Sequence, residues 1–354
     1  MKILIDCERM KYPYSGLANV SRSLVEGLAE VSAKFSVTLY GPENELGDAE
    51  FPVIPWKPFH KIFPPKTLQF DLIHVSHQLS DYFHQVKKNQ KKTVTLHDLN
   101  FLYEGLSEEK VQKRIRLVQK NIGNADAIIC ISEFVKQDFL AHQHLFKLKD
   151  NVALEVVHNG LVFPEIIKFE PENISVPQKK YLLNTGVLAP KKKQLVLLDF
   201  LTKTDLDLVL ISAAAKSGYR NLFNEKVRQL GLSGRVHILE NVSENDKNFL
   251  LQNCEAYIHP SLAEGFGIPP IEAMYFGKPV FLSDKTSLPE IGGDAAFYFK
   301  NFDAGDMYRI FSEAMQQFHS NAAYFSALFH EHALQYSAKK MADGYLKVFE
   351  KIAG

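Results

Sequence analysis

The sequence YIHPSLAEGFGIPPIEAMYFGKPVFLSDKTSL occupies residues 257–288 and carries the order strand, glycine loop, helix, strand. Apolar residues at its beginning predict a short strand. Two glycines in the following loop would let backbone amides approach a ligand closely. Pro269 and Pro270 suit the first turn of a helix, where a missing N–H costs little. Gly277 predicts the end of that helix before a second strand at 280–282.

Two carboxylates in this stretch, Glu264 and Glu272, flank the predicted helix start. A helix N-terminus has free N–H groups and about half a positive charge, so it is a natural site for phosphate. We therefore predict a clamp in which the carboxylates accept hydrogen bonds from sugar hydroxyls while amides hold a diphosphate. The alternative is a helix that merely has favourable acidic residues at its start.

The string PSLAEGFGIPPIEAMYFGKPVFLSD closely resembles the signature of the retaining nucleotide-sugar glycosyltransferases of family four, also called glycosyl transferases group 1. The resemblance rests on two acids separated by seven residues, the Gly-Phe-Gly loop, the proline at the helix start and the closing Gly-Lys-Pro-Val. It implies the GT-B fold, an α/β fold of two Rossmann-like domains whose parallel sheets face each other across a cleft.

Length and composition agree with two ordinary domains in one chain of 354 residues. Lys+Arg and Asp+Glu both number 41, and this balance argues against a nucleic-acid-binding protein. The three cysteines are far apart, which favours a reducing compartment over disulfides or a metal site. No signal peptide is visible, and no apolar run approaches the ~20 residues that span a bilayer. We expect a cytoplasmic protein, with peripheral contact at the inner face of the membrane left open.

Four segments are predicted along the chain. Residues 1–165 form an N-terminal, acceptor-binding Rossmann-like domain, and residues 166–179 form a proline-containing linker. Residues 180–335 form the C-terminal domain that binds the nucleotide sugar. Residues 336–354 form an amphipathic helix, which the resemblance implies crosses back onto the first domain.

The resemblance places two residues of the first domain near the sugar. Gly16, within the segment Tyr14 to Val20, resembles the family's glycine loop under the transferred phosphate; the alternative is a plain helix start capped near Ser15. His97 ends a predicted strand, and the carboxyl ends of parallel strands face the ligand crevice. It matches a position where family members keep a histidine directed at the sugar. The alternative is a satisfied structural histidine, with Asp98 orienting it or capping the next turn.

In the second domain, Lys191 and Lys192 belong to a cluster of ammonium groups that would offset diphosphate charge and stabilise a departing nucleotide. One common family form is Pro-Arg-Lys-Asn, so Lys191 replaces a bidentate arginine and its role stays open. Asn241 and Val242 fall where family members hold the nucleotide base. The Asp205-Leu206-Asp207 motif precedes a strand, where a metal motif would follow one, so we expect a turn and no metal.

A run of lysines at 87–92 predicts a basic turn before the strand Thr93 to Leu96. Such a run is usually a solvated loop. The alternative is a patch that meets anionic lipid head groups, where each lysine adds ~1 kcal/mol.

Together these patterns predict a retaining, metal-independent hexosyltransferase without a cofactor. The donor would be GDP-mannose, towards which the Pro-Lys-Lys-Lys form leans, or a UDP-sugar. The acceptor would be a glycan or a lipid-linked glycan in surface polysaccharide synthesis, such as that of lipopolysaccharide. By resemblance, transfer occurs on one face of the sugar, and the donor phosphate helps to remove the acceptor proton.

The catalytic residues implied by the resemblance are His97, Glu264 and Lys192. The implied donor-binding residues are Gly16, Lys191, Lys192, Asn241, Val242, Glu264, Gly265, Phe266, Gly267, Ile268 and Glu272. Two alternatives stay open. One is a non-catalytic nucleotide-sugar-binding subunit of the same fold, and the other is a sugar-nucleotide epimerase or phosphorylase-like enzyme on the same scaffold.

Overall fold

The computed structural model of the protein describes residues 1–12, 15–212 and 218–354. The described residues form two compact units, one made of 1–162 with 336–354 and the other of 163–335. Residues 166–179, predicted as the linker, are grouped with the second unit. Tyr14 of the predicted glycine loop lies outside the described residues.

Within the described residues, the first unit contains a sheet of seven parallel strands in the spatial order β3-β2-β1-β4-β5-β6-β7. The strands are β1 Lys2–Asp6, β2 Ser36–Gly41, β3 Val53–Pro55, β4 Leu72–Val75, β5 Lys91–Leu96, β6 Ala127–Cys130 and β7 Ala153–Val156. Central strands such as β6 are buried along their whole length, as expected when helices cover both faces of a parallel sheet.

The second unit contains, within the described residues, a sheet of six parallel strands in the order β10-β9-β8-β11-β12-β13. The strands are β8 Tyr181–Thr185, β9 Asp207–Ile211, β10 Val236–Leu239, β11 Ala256–His259, β12 Val280–Ser283 and β13 Phe297–Phe299. Phe200, Phe281, Phe299 and Phe311 pack together in its core. The predicted α/β class, with two Rossmann-like domains, is confirmed.

Helices connect the strands in both units. They are α1 Gly16–Val31, α2 Glu43–Leu46, α3 Glu108–Ile122, α4 Glu133–His142, α5 Leu195–Leu201, α6 Gly218–Gln229, α7 Glu244–Asn253, α8 Ile268–Tyr275, α9 Leu288–Gly292, α10 Ala304–Ser320, α11 Ala322–Ala333 and α12 Ala338–Ala353. Within the described part of the chain, no helix combines the length and the apolar character needed to cross a bilayer.

The C-terminal helix α12 packs in the first unit, as predicted. Tyr345 is buried and its hydroxyl lies 2.7 Å from Thr95 Oγ1 of β5. Gly27 of α1 permits the contact between the two helices, because a Cβ there would lie 2.2 Å from the carbonyl oxygen of Ala338. A side chain at Gly27 would therefore push α12 away from α1.

Each sheet reverses its strand order at one point, between β1 and β4 in the first unit and between β8 and β11 in the second. In open α/β sheets, ligands bind outside the carboxyl ends of the strands at such a point. The loops that follow β8 and β11 therefore line the expected ligand site of the second unit.

The prediction of a basic turn over residues 87–92 is wrong for its last two residues. The strand β5 begins at Lys91, and the side chain of Lys92 is fully buried. Lys92 Nζ donates to the carbonyl oxygen of His84 and to Asn124 Oδ1, each at 3.1 Å. Burial lowers the pKa of Lys92 to about 7. Strand alternation turns this side chain inward, so Lys92 cannot belong to a lipid-binding patch.

Replacing Lys92 by methionine should remove a pH dependence of stability. Between pH ~7 and pH ~10.4 the unfolded chain binds a proton at Lys92 that the folded protein lacks, so the free energy of unfolding rises with pH. The slope contributed by Lys92 should approach ~1.4 kcal/mol per pH unit. Urea unfolding at several pH values measures it, and an equal slope in Lys92→Met would contradict this account.

Candidate functional site

The loops after β8 and β11 meet through one carboxylate. Glu264 Oε1 lies 2.5 Å from Lys192 Nζ and 2.6 Å from His259 Nε2. The two loops also join through their backbones, because the N–H of Leu262 donates to the carbonyl oxygen of Lys191 at 2.7 Å. The structure thus brings together Glu264 and Lys192, which are 72 residues apart in sequence.

Electrostatics keep Glu264 ionised. Its burial raises the pKa, but the hydrogen bond and charge of His259 and the charge of Lys192 outweigh burial, so the pKa of Glu264 falls below its ordinary value. A carboxylate held in this state fixes the position of the Lys192 ammonium group. The cluster therefore presents a positioned cation at the point where the strand order reverses.

The loop before α8 is held in one conformation by two hydroxyls. Thr286 Oγ1 accepts the N–H of Glu264 at 3.0 Å. Ser287 Oγ donates to the carbonyl oxygens of Glu264 and Phe266 at 3.1 and 2.6 Å. Gly267 has a φ of +126°, and a Cβ there would lie 3.1 Å from Leu288 Cδ2. Only glycine fits this turn without strain.

Helix α8 begins at Ile268, directly after the loop. Pro269 and Pro270 occupy the next two positions and carry no N–H. A helix normally leaves its first four N–H groups without a partner inside the helix. At this helix start, only Gly267 and Ile268 have such an N–H to offer. An anion placed there would also interact with the positive end of the helix dipole.

Glu272 lies in the second turn of α8 and pairs with Lys247 of α7, with 2.9 Å between Oε1 and Nζ. Lys247 also contacts Glu244 at 2.7 Å. Burial, with smaller contributions from Glu272 and Glu264, raises the pKa of Tyr257. Both acids thus act on the hydroxyl of Tyr257, the second residue of β11.

Asn241 and Val242, predicted to contact the base, follow β10 and precede α7. Asn241 is exposed and has a φ of +53°, a conformation that asparagine tolerates better than most residues. The preceding Glu240 forms an ion pair with Arg220 of α6. No described contact joins these two residues to Glu264, so their role stays a prediction.

In the first unit, Gly16 begins α1, and a Cβ on it would have no atom of another described residue within 4 Å. Ser15 Oγ accepts the N–H of Ala18 at 3.2 Å, so the capping alternative is present in the structure. This geometry leaves space beside Gly16 for a ligand, while the loop role itself stays a prediction.

His97 is buried and stacks on His77, with ring centroids 5.2 Å apart. Its Nε2 donates to the carbonyl oxygen of Ser76 at 2.8 Å. Burial lowers the pKa of His97, so the ring is neutral and Nδ1 is its acceptor nitrogen. Asp98 caps the next turn, since its Oδ1 accepts the N–H of Asn100 at 3.0 Å.

A cationic cavity of about 400 Å³ lies at the reversal point of the first sheet. It is lined by Arg9, Leu79, Asp81, Lys110, Lys113, Arg114 and Leu117. Arg9 Nη2 donates to the carbonyl oxygen of Leu79 at 2.8 Å, whereas its buried Nε has no hydrogen-bond partner among the described residues and lies 3.6 Å from Glu8 Oε2. Lys110 and Lys113 form no ion pair within the described part of the chain. The cavity is therefore suited to an anion.

Three residues at these sites were missed in the sequence. His259 and Lys247 contact the two predicted acids, and Arg9 lines the cavity. His259 could have been noticed, because it ends the strand before the glycine loop. Nothing local marks Lys247 or Arg9, whose roles depend on contacts with distant segments.

Among residues 1–12, 15–212 and 218–354, no group of three or more histidine, cysteine, aspartate or glutamate side chains is arranged to hold a metal ion. The expectation that the protein uses no metal or cofactor stays a prediction.

Comparison with known proteins finds a matching family model and several relatives. The family model described as glycosyl transferases group 1 matches residues 166–322. The O-antigen chain mannosyltransferase B of Escherichia coli is 26% identical over 83% of this chain and 85% of its own length. The O-antigen chain mannosyltransferase RfbU of Salmonella typhimurium is 28% identical over 61% of this chain and 58% of its own length, little more than half of that relative.

The fold is shared with solved structures. The Anabaena protein HepE, solved in complex with UDP, is 18% identical and superimposes with a TM-score of 0.71 over 99% of this chain and 100% of its own. The resemblance inferred from the sequence is thus confirmed: the fold is GT-B, and the second unit carries a glycosyl transferases group 1 domain. The family match and the relatives support a glycosyltransferase.

Proposed function

We propose that the protein transfers a mannosyl group from GDP-mannose, or a hexosyl group from a UDP-sugar, to a glycan or lipid-linked glycan in surface polysaccharide synthesis. Transfer would retain the anomeric configuration, need no metal and take place on the cytoplasmic side of a membrane. The observation that carries the proposal is the Lys192–Glu264 pair at the strand-order reversal of the second sheet, beside the start of α8. The two O-antigen mannosyltransferases among its relatives support mannose as the sugar.

The donor diphosphate would lie against Lys192 and the N–H groups of Gly267 and Ile268. Negative charge grows on this group as the bond to the anomeric carbon breaks, so a positioned ammonium group stabilises the transition state more than the ground state. Glu264 keeps Lys192 in place, and Glu272 would accept hydrogen bonds from the ribose. His97 would contribute its acceptor nitrogen to a sugar hydroxyl.

The acceptor would carry an anionic group. The cavity at the reversal point of the first sheet offers two ammonium groups, of Lys110 and Lys113, beside the guanidinium of Arg9. Guanidinium and ammonium groups bind phosphate through charge-assisted hydrogen bonds. Leu79 and Leu117 add apolar walls, so a phosphate or diphosphate ester with an apolar group attached suits the cavity.

A panel of donors tests the proposed function. The full chain is incubated with GDP-mannose, UDP-glucose, UDP-galactose and their free nucleotides, with and without EDTA, and thermal unfolding and donor consumption are measured. We expect one donor to raise the unfolding temperature and to be consumed when a glycan acceptor is added, with EDTA making no difference. Proton NMR of the product should show the anomeric configuration of the donor.

Other outcomes of the panel would reject the proposal or one part of it. Binding of a nucleotide sugar without consumption, across all acceptors, would indicate a non-catalytic binding subunit. Conversion of the sugar while it stays attached to the nucleotide would indicate an epimerase. Loss of turnover in EDTA that is restored by Mg²⁺ would overturn metal independence alone.

A further inference from the structure

The connection between β3 and β4 displays four large apolar side chains to solvent. Phe59, Ile62, Phe63 and Leu68 are 54%, 75%, 71% and 72% exposed. They lie within ten consecutive residues, 59–68. Single exposed apolar residues are ordinary, whereas four large ones on one ten-residue segment mark a surface that contacts something other than water. We call these four residues the apolar patch.

The segment that carries the patch is held in place. Residues Pro58–Lys61 form a turn of 3-10 helix, and the N–H groups of Ile62 and Phe63 both donate to the carbonyl oxygen of Phe59 at 2.9 Å. Gln90 fixes the other end, because its Nε2 donates to the carbonyl oxygen of Thr67 at 2.5 Å. The apolar side chains therefore project from an ordered backbone, so little ordering cost accompanies binding.

Positive charge surrounds the patch. Lys57, Lys61 and Lys66 are exposed, and no aspartate or glutamate occurs from residue 51 to residue 70. Lys61 pairs with Asp81. Lys57 and Lys66 form no ion pair with any residue that the structure describes. The segment thus combines exposed aromatic and aliphatic groups with unneutralised ammonium groups.

We propose that the apolar patch docks the protein on the surface of an anionic lipid bilayer. The patch would enter the boundary between head groups and acyl chains, while Lys57 and Lys66 contact lipid phosphates. Lysine is depleted at protein–protein interfaces, whereas its long apolar stem and charged end suit a bilayer surface. The composition therefore favours a lipid surface over a partner protein or a second copy of the chain. The proposal does not depend on the transfer reaction.

Vesicle sedimentation with the full chain tests the proposal. Vesicles of phosphatidylcholine with phosphatidylglycerol are compared with vesicles of phosphatidylcholine alone. The double variant Ile62→Ser with Phe63→Ser should lose about 100-fold in affinity for the anionic vesicles, about tenfold for each apolar group. The control variant Tyr324→Ser with Leu328→Ser, which removes two exposed apolar groups of α11, should bind like the wild type.

A second pair of variants tests the charge. Lys57→Gln with Lys66→Gln should lose about tenfold or more on anionic vesicles and little on neutral ones, since each lysine acts through the surface potential. Equal binding of wild type and Ile62/Phe63 variant, or no vesicle binding by the wild type, would overturn the proposal. A wild-type dimer that becomes a monomer in the Ile62/Phe63 variant, without vesicle binding, would assign the patch to a second copy of the chain.

Discussion

Replacing Glu264 by glutamine is expected to lower kcat for sugar transfer by about 10²–10³-fold, the loss typical of removing one preorganised electrostatic contact from a transition state. Glutamine keeps the shape of the side chain but loses the charge that holds Lys192 Nζ at 2.5 Å and His259 Nε2 at 2.6 Å. Lys192 would then be free to move away from the diphosphate. Initial-rate kinetics with the donor identified by the panel measures the effect.

A matched control separates this effect from a general loss of charge. Glu255 pairs with Lys180 at 3.0 Å, but it precedes β11 and so lies at the amino end of the sheet, away from the site. Glu255→Gln should retain full activity. Thermal unfolding and circular dichroism establish that both variants are folded. Wild-type kcat in a folded Glu264→Gln variant would refute the role assigned to Glu264.

Replacing Lys192 by glutamine should lower kcat by a similar factor, about 10²–10³-fold. The ammonium group interacts most strongly with the diphosphate when negative charge is greatest, in the transition state. The loss should therefore fall on kcat more than on KM. Lys180→Gln is the control. Lys180 precedes β8, so it lies at the amino end of the strands, whereas Lys192 follows their carboxyl end.

The double variant Glu264→Gln with Lys192→Gln tests whether the two side chains act as a unit. Residues in contact typically show interaction energies of about 0.5–3 kcal/mol, so the double variant should lose clearly less than the sum of the single losses. A strictly additive loss would mean that Glu264 and Lys192 contribute independently. It would remove the reason for describing them as one clamp.

Much of the fold could be predicted because its strands are short apolar runs in a regular alternation with helices. The strand predicted at 280–282 is β12, Val280–Ser283, and the helix predicted to end at Gly277 is α8, Ile268–Tyr275. Several short or weakly patterned elements were missed, among them β3 and α6. The strand β3, Val53–Pro55, has three residues and exists through its pairing with β2. The helix α6, Gly218–Gln229, buries only Phe223 and Val227 on its inner face, too weak a pattern to identify alone.

Lys92 shows where composition misleads. A run of lysines is typical of a solvated turn, but the alternation of a strand decides which side chain faces inward. Lys91 is half-buried and Lys92 is fully buried within β5, where its Nζ donates to two oxygen acceptors. Lysine is usually exposed, so the residue type favours an exposed Lys92. The alternation of side chains along a strand instead turns Lys92 towards the interior.

The sequence predicts the part of the candidate site whose residues are close together in the chain. Glu264, Gly267 and Glu272 belong to one local strand–loop–helix step, so their neighbourhood follows from the sequence. Their partners do not, since Lys247 reaches Glu272 only through the packing of α7 against α8. The contact between the loops that follow β8 and β11 likewise depends on the order of strands in the sheet. That order cannot be read from any single segment of the sequence.

A crystal structure with a bound nucleotide diphosphate tests the central claim most directly. The account predicts that the diphosphate lies against Lys192 and the N–H groups of Gly267 and Ile268, with a ribose hydroxyl on Glu272. A diphosphate bound only in the cavity beside Arg9, with Lys192 and Glu272 untouched, would contradict it.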